Sequence, residues 1–348
     1  MSSHKRPTQA DVARAAGVSR PTASLALKGS SVVSEATRAH VRKIADALGY
    51  APDPMLSALA KYRSPGKTNL YQGTLAWVSV SSDEHPWDLI TPYQQYYLGA
   101  CKHAKRLGYK IECFDLHQEK LSAKRLDSIL TARGINGILA CPPSTYGSPV
   151  DLPWEKYHVV TFGYSINRPN VHRVSSSHYR ATKMVFEKLL KFGYKRIGFV
   201  FSEQVNVKTQ EHCLSAYLCE SQKSGIKAPP PLVQDPLNSE HFEAWYKRYK
   251  PDAVIVSSPL WEMIQSTGIQ VPKKLGVASP MVPERSPELT GIIEKCQEIG
   301  AAAIDTLVHM IQHDDKGLPN TPRFILLEGK WNPGRTTRKP QRLRSSRP

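Results

Sequence analysis

The chain has 348 residues, 40% of them hydrophobic, and a formal net charge of +17. That length is too great for one small core and implies two or three compact units. No apolar run is long enough to span a bilayer, so no membrane-spanning helix is expected.

The charge is uneven. Residues 1–67 hold 11 Lys/Arg against 4 Asp/Glu, and residues 330–348 hold 7 Lys/Arg and no acid. The 262 residues between them carry only +3. A basic head and tail on a near-neutral body point to a polyanion partner reached by the ends. The N-terminal MSSHKRPTQADV has no apolar stretch behind its basic residues, so no secretory leader is expected. Six cysteines (Cys101, Cys113, Cys141, Cys213, Cys219, Cys296) form no CxxC pair. Scattered thiols fit a reducing cytoplasm and argue against a disulfide framework or a zinc knuckle.

The first elements are short helices. Thr8 is placed to cap one, with Asp11 in its first turn and Val12, Ala13 and Ala16 on one apolar stripe. Gly17 supplies the left-handed residue that ends it. Ser19 caps the next, and Pro21 sits in its first turn, where no intrahelical N–H is needed. Ala23, Ala26 and Leu27 make its stripe, and Gly29 closes it. Ser34 caps a third helix, with Glu35 at its start, Val41, Ile44, Ala45 and Leu48 as its apolar face, and Gly49 as its stop. Two short helices crossing closely at a glycine corner are a helix-turn-helix. An ordinary three-helix bundle is the competing reading, and the basic balance favours DNA over it.

Three segments carry a family resemblance. ADVARAAGVS, then VVSEATRAHVRKIADALGYAPDP, then MLSALA, run ungapped from Thr8 to Leu59 and resemble the headpiece of the LacI/GalR family of transcription regulators. The resemblance implies that the second helix lies in the major groove of double-stranded DNA, with Arg20, Pro21 and Leu25 at the base edges. Arg20 suits a guanine edge, and Pro21 and Leu25 suit thymine methyls. Thr8, Ser19, Thr22 and Ser24 serve as caps and phosphate contacts, and Lys28, Arg38 and Lys43 add backbone contacts. It also implies a hinge helix whose Leu59 enters the minor groove and kinks the duplex. Ala60 departs from the family, where a basic residue is common.

Lys61 to Thr68 reads as a linker. Beyond it, strands and helices alternate. GTLAWVSV, IECFDL, INGILAC, HVVTFGY, RIGFVF, DAVIVSS, KKLGVAS and RFILLEGKW read as strands. Tyr96–Leu107, SAKRLDSILTARG, RATKMVFEKLLKFGY, Gln210–Gly225 and Gly300–Ile311 read as helices. This alternation implies doubly wound parallel sheets, and about 260 residues fit two sheets with a cleft better than one.

LKFGYKRIGFV, LTGIIEKCQEIGAAAIDTLVHMI and FILLEGKWNPGRT resemble the periplasmic-binding-protein-type effector domain of the same family. The expected division is a headpiece over 1–60, a linker over 61–68 and an effector and dimerisation domain over 69–331. That domain comprises one subdomain of 69–175 with 291–325 and another of 176–290 with 326–331, and a basic disordered tail spans 332–348. A small ligand is expected in the cleft at the strand C-termini. The usual polar clamp is missing. Met281 stands where an aspartate is usual, His212 or Cys213 where an arginine is, and Val174 to His178 where the crossover often carries an aspartate. Tyr93, Gln94, His178, Ser202, His212 and Met281 are the residues expected to line the cleft.

No GxSxG, P-loop, HExxH or GxGxxG motif is present, so an enzyme is not expected. The histidines are read without a metal-ligating spacing such as i, i+4 in a helix, so neither a metal nor another cofactor is expected beyond an unidentified small-molecule effector. A solute-binding module with a non-specific basic head is the alternative, disfavoured by the headpiece match. The expectation is a cytoplasmic, homodimeric, effector-responsive DNA-binding regulator.

Overall fold

The computed structural model describes residues 7–27, 32–50, 71–79, 87–117, 120–143, 152–284 and 286–338. Lys28, Gly29, the expected hinge helix with Leu59 and Ala60, the linker 61–68 and the tail beyond Arg338 lie outside the described residues.

Three helices form the N-terminal unit: α1 (Gln9–Ala15), α2 (Arg20–Leu27) and α3 (Glu35–Ala47). Thr8 makes a full capping box with Asp11. Asp11 N donates to Thr8 Oγ1 (3.4 Å) and Thr8 N donates to Asp11 Oδ2 (2.9 Å), an arrangement worth about 1 kcal/mol. Gly17 takes φ +64° and Gly49 φ +63°, left-handed corners where a side chain would be strained. The core is Val12, Ala13, Ala16, Ala23, Ala26, Val33, Val41 and Ala45, with Val18, Leu27, Ile44 and Tyr50 packed against it. Small residues at this centre let the three helices approach closely. Leu48 is a correction: it follows the last turn of α3 as its C-cap and is 41% exposed.

The rest is two six-stranded sheets. The first has the order β11-β5-β4-β3-β1-β2, from β1 (Gly73–Ser79), β2 (Tyr109–Asp115), β3 (Gly137–Ala140), β4 (His158–Phe162), β5 (His172–Ser176) and β11 (Phe324–Leu327), all parallel. The second has the order β12-β10-β9-β8-β6-β7, from β6 (Ile197–Ser202), β7 (Leu232–Gln234), β8 (Ala253–Val256), β9 (Gly276–Val282), β10 (Thr290–Ile293) and β12 (Lys330–Asn332). Only β12 runs antiparallel to its neighbour among these pairings.

Helices cover both faces of each sheet, as buried parallel strands require. On the first, α4 (Thr91–Arg106) and α11 (Cys296–His313) bury Tyr96, Ala100, Ile299, Ile304 and Leu307, and α5 (Ala123–Ala132) buries Leu126 and Leu130 on the other face. On the second, α6 (His178–Lys191) and α8 (His212–Ser224) bury Val185, Phe186 and Tyr217. There α9 (Ser239–Tyr249) and α10 (Leu260–Ser266) bury Phe242, Trp245 and Ile264 opposite. A short α7 (Glu203–Lys208) links β6 to α8.

Three differences from the sequence reading matter. The expected single strand RFILLEGKW is two strands in two sheets, β11 and β12, because the chain crosses at Glu328–Gly329. A Cβ at Gly329 would collide with Ile292 and Ile293, so only glycine fits this crossing. The strands β5, β7 and β10 have no counterpart among the expected strands. Finally, the disordered tail expected from Asn332 does not hold for residues 332–338. Thr336 is 4% exposed; its Oγ1 donates to the Val277 carbonyl (2.6 Å) and accepts from Thr290 N (2.9 Å). Arg338 N donates to the Tyr194 hydroxyl (2.8 Å). Thr336→Val keeps the shape and strands both partners, so urea denaturation should show a loss of about 2 kcal/mol. An unchanged midpoint would mean the segment adds nothing to the fold.

Candidate nucleic-acid interface and inter-sheet cleft

The first candidate surface is one side of α2. Ala23 and Ala26 face the core, which turns Arg20, Pro21, Ser24 and Leu25 outward as i, i+1, i+4 and i+5 of one helical face. Arg20 and Pro21 are exposed, and Leu25 is 37% exposed, an apolar side chain left on a polar face. Ser19 accepts from Thr22 N (3.2 Å) as the helix cap, and the Ser19 and Thr22 hydroxyls lie 2.7 Å apart. Both therefore stand at the helix N-terminus, where backbone N–H groups favour an anion. Thr8 is exposed at the start of α1, and Lys43 is exposed on α3. Arg38 is ion-paired with Glu35 on its own helix. Within α2 this face carries one cation, Arg20, and no acid. It can hold phosphate and reach into a groove.

The second surface lies where the strands of both sheets end. Tyr164, just past β4, is buried. Its ring meets His212 of the second unit edge-on at 5.0 Å, His178 at 6.3 Å and Phe324 in a stack at 6.1 Å. The guanidinium of Arg173 lies over the Phe324 ring, 4.9 Å from its centre. His178 Nε2 is 3.5 Å from Glu294 Oε1. Burial pulls the His178 imidazole down to about 4, with His212 adding to it, and pushes the Glu294 carboxyl up to about 7. Around them burial raises the Tyr93, Cys213 and Cys296 groups, Cys213 to about 12, so these remain protonated. At neutral pH both imidazoles are uncharged, the Glu294 carboxyl stands near its midpoint, and the Arg173 guanidinium supplies a buried cation beside the Phe324 ring. The region can offer hydrogen bonds and aromatic faces.

The six expected cleft residues separate. His178 and His212 come together around Tyr164. Tyr93 lies in the first unit, against Tyr96 and hydrogen-bonded to Ser165, the residue after Tyr164. Gln94 is exposed. Ser202 accepts from Val205 N (3.3 Å) and is the cap of α7. Met281 packs against the apolar cluster of the second sheet, where Cys213 is fully buried. Tyr164, Glu294, Arg173 and Phe324 are not among the expected residues. Glu294 carries no sequence signal, since it follows the short apolar run of β10 and is itself followed by Lys295 and, four residues on, Glu298.

The histidine spacing needs correcting, since His309 and His313 stand four apart on α11, their rings 4.1 Å apart. Among the described residues no group of three or more His, Cys, Asp or Glu could hold a metal ion. Nor is any described helix long and apolar enough to cross a membrane.

Similarities to known proteins fall on both surfaces. The model for bacterial regulatory proteins of the lacI family matches residues 8–53. The model for periplasmic binding proteins and the sugar binding domain of the LacI family matches residues 56–243, more than half the chain, and a periplasmic binding protein-like domain matches 186–337. Catabolite control protein A of Staphylococcus xylosus is 24% identical over 332 residues, covering 89% of this chain and 94% of its own. Two solved structures share the fold at 20% identity. A transcriptional regulator CelR–cellobiose complex has TM-score 0.59, covering 95% of this chain and 100% of its own. The lac repressor dimer bound to operator and the anti-inducer ONPF has TM-score 0.57, covering 96% and 100%. The exposed face of α2 and the two-sheet body thus coincide with the two matched regions, and the chain belongs to the lacI family of bacterial regulatory proteins, as a transcription regulator with a DNA-binding helix-turn-helix and a periplasmic-binding-protein-like effector domain rather than an enzyme.

Proposed function

We propose that the chain is a cytoplasmic repressor that binds a near-palindromic operator as a homodimer and is controlled by a small molecule between its two sheets. The observation that carries this is the outward row of Arg20, Pro21, Ser24 and Leu25 on a helix whose other side is the headpiece core. In this reading Arg20, Pro21 and Leu25 meet base edges, while Thr8, Ser19, Thr22, Ser24 and Lys28 meet the backbone. Leu59, outside the described residues, supplies the wedge at the central step. The lac repressor dimer on its operator supports the paired arrangement by fold. The expected division of the body into 69–175 with 291–325 and 176–290 with 326–331 is proposed with two boundaries moved, since β10, to Ile293, belongs to the second sheet and β11, to Leu327, to the first. Effector contacts are placed on Tyr93, His178 and His212, with Gln94, Ser202 and Met281 at the margin. Effector and DNA affinities are then reciprocally coupled through the relative orientation of the two units.

Selection from a random duplex pool with the full chain, at near-physiological salt, tests the reading. A palindrome with a flexible pyrimidine–purine centre is the expected product. If neither the free protein nor the protein with a metabolite mixture selects any sequence, the reading fails.

A further inference from the structure

Three crossings join the two sheets: Ser177 between β5 and α6, Glu294–Lys295 between β10 and α11, and Glu328–Gly329 between β11 and β12. Any rotation of one unit against the other bends these segments. Side chains that tie one crossing to another therefore set the cost of the rotation. Arg180 and Glu328 tie the first crossing to the third at 2.9 Å, but their side chains are 70% and 53% exposed and the pair is worth little. His178 and Glu294 tie the first to the second. Their side chains are 12% and 14% exposed, their closest atoms are 3.5 Å apart, and the Ser176 hydroxyl hydrogen-bonds Glu294.

We propose that His178 and Glu294 form a hinge latch, in which closing the two units moves one proton from the imidazole to the carboxyl so that the pair enters the interior uncharged. The Nε2–H bond breaks and an Oε1–H bond forms, with no proton lost or gained. Burying a full ion pair would cost several kcal/mol of desolvation per ion; burying an acid that donates to a neutral imidazole avoids it. The groups facing the pair do not oppose this. They are Ser176 from β5, His212 and Cys213 from α8, Tyr96 from α4, Cys296 from α11 and Tyr164 after β4. The thiols and Tyr96 are raised and His212 is lowered, so each is uncharged at neutral pH. In the resulting state His178 Nδ1, which has no hydrogen-bond partner among the described residues, carries the remaining ring hydrogen.

The latch has a distinctive proton balance. Exposed, the two groups titrate at 6.5 and 4.5; buried, they titrate at about 4 and about 7. The raised acid favours the closed form below 4.5 and loses that advantage as pH rises through about 7. The lowered imidazole favours the closed form above 6.5 and loses that advantage as pH falls through about 4. Between 4.5 and 6.5 the two effects cancel, because the pair holds one proton whether open or closed.

Hydrogen exchange of the crossing amides at 176–178 and 294–296, in the full chain and corrected for intrinsic rate, reads this directly. The wild type should show an opening equilibrium nearly flat from about pH 5 to 6.5. His178→Asn leaves the acid alone, and opening should rise about tenfold per pH unit from about 5 to 7. Glu294→Gln leaves the imidazole alone, and opening should fall about tenfold per pH unit as pH rises from about 4.5 to 6.5. Arg180→Ala should leave the profile flat. The latch is refuted if either His178→Asn or Glu294→Gln follows the wild-type profile, or if the wild type is itself steep. The measurement uses neither DNA nor effector, so it stands or falls apart from the proposed function.

Discussion

Gly300→Ala should destabilise the protein by about 2–3 kcal/mol, although alanine is the better helix former by about 1 kcal/mol. The sign comes from the surroundings of Gly300. A Cβ there would press into the carbonyl oxygen of Tyr96 and come within 2.7 Å of Ala100 N. Gly99 on α4 makes the reciprocal approach to the backbone of Gln297. Two helices thus cross backbone to backbone, and no rotamer change relieves the clash. The cost must come from separating α4 and α11, which share the apolar cluster of Tyr96, Ala100, Ile299, Ala303 and Leu307. Urea unfolding followed by circular dichroism measures it. Ala301→Gly on the same helix is the control, since Ala301 lies outside the apolar cluster and the change should cost mainly its propensity, about 1 kcal/mol. If Gly300→Ala is as stable as wild type, the close crossing is not a constraint on this fold.

That crossing illustrates what is and is not legible in the order of residues. Gly300 reads as the start of a helix because glycine interrupts an apolar stripe; its purpose lies in a residue about two hundred positions away, on α4. The headpiece is legible in detail because its signals are local. Thr8, Gly17, Ser19, Ser34 and Gly49 each act on backbone within four residues, so cap and corner can be placed from order alone. Leu48 fails for a tertiary reason: the apolar period of α3 runs past the end of the core it serves.

In the body, most strands with continuous apolar runs are legible; the short β7 and β10 are not, and nor is β5. His172, Arg173, Ser175 and Ser176 are all buried there, each at 3% exposure or less, between β4 and β11. Nothing in HRVSS reads as an interior strand, because its neighbours bury it. The cleft is least legible of all. Tyr164, His178, His212 and Glu294 come from four separate segments at the strand ends, so their contact is a property of the topology, and only the two histidines stand out in the sequence.

The base-reading assignment leads to the second large effect. Arg20→Ala should leave stability near wild type, since Arg20 is exposed at the first position of α2 and alanine suits a helix. Its effect should fall on DNA. A bidentate arginine–guanine contact carries about 1–3 kcal/mol of discrimination, and a dimer uses it twice, so affinity for the selected duplex should fall by about 2–6 kcal/mol. Affinity for random duplex should fall far less, because the phosphate-contacting groups remain. Lys43→Ala separates the two kinds of contact. As an exposed cation away from the α2 face, it should weaken all duplexes alike and reduce the salt slope by about two, about one per protomer. Binding of both variants to selected and random duplex across a salt series gives the comparison. If Arg20→Ala weakens both duplexes equally, Arg20 is a phosphate contact, and sequence must be read by Pro21 and Leu25 through thymine methyls or by duplex deformation. The selected site would then be expected to lack a guanine at the position facing the N-terminus of α2, which the sequencing of the selected pool decides independently.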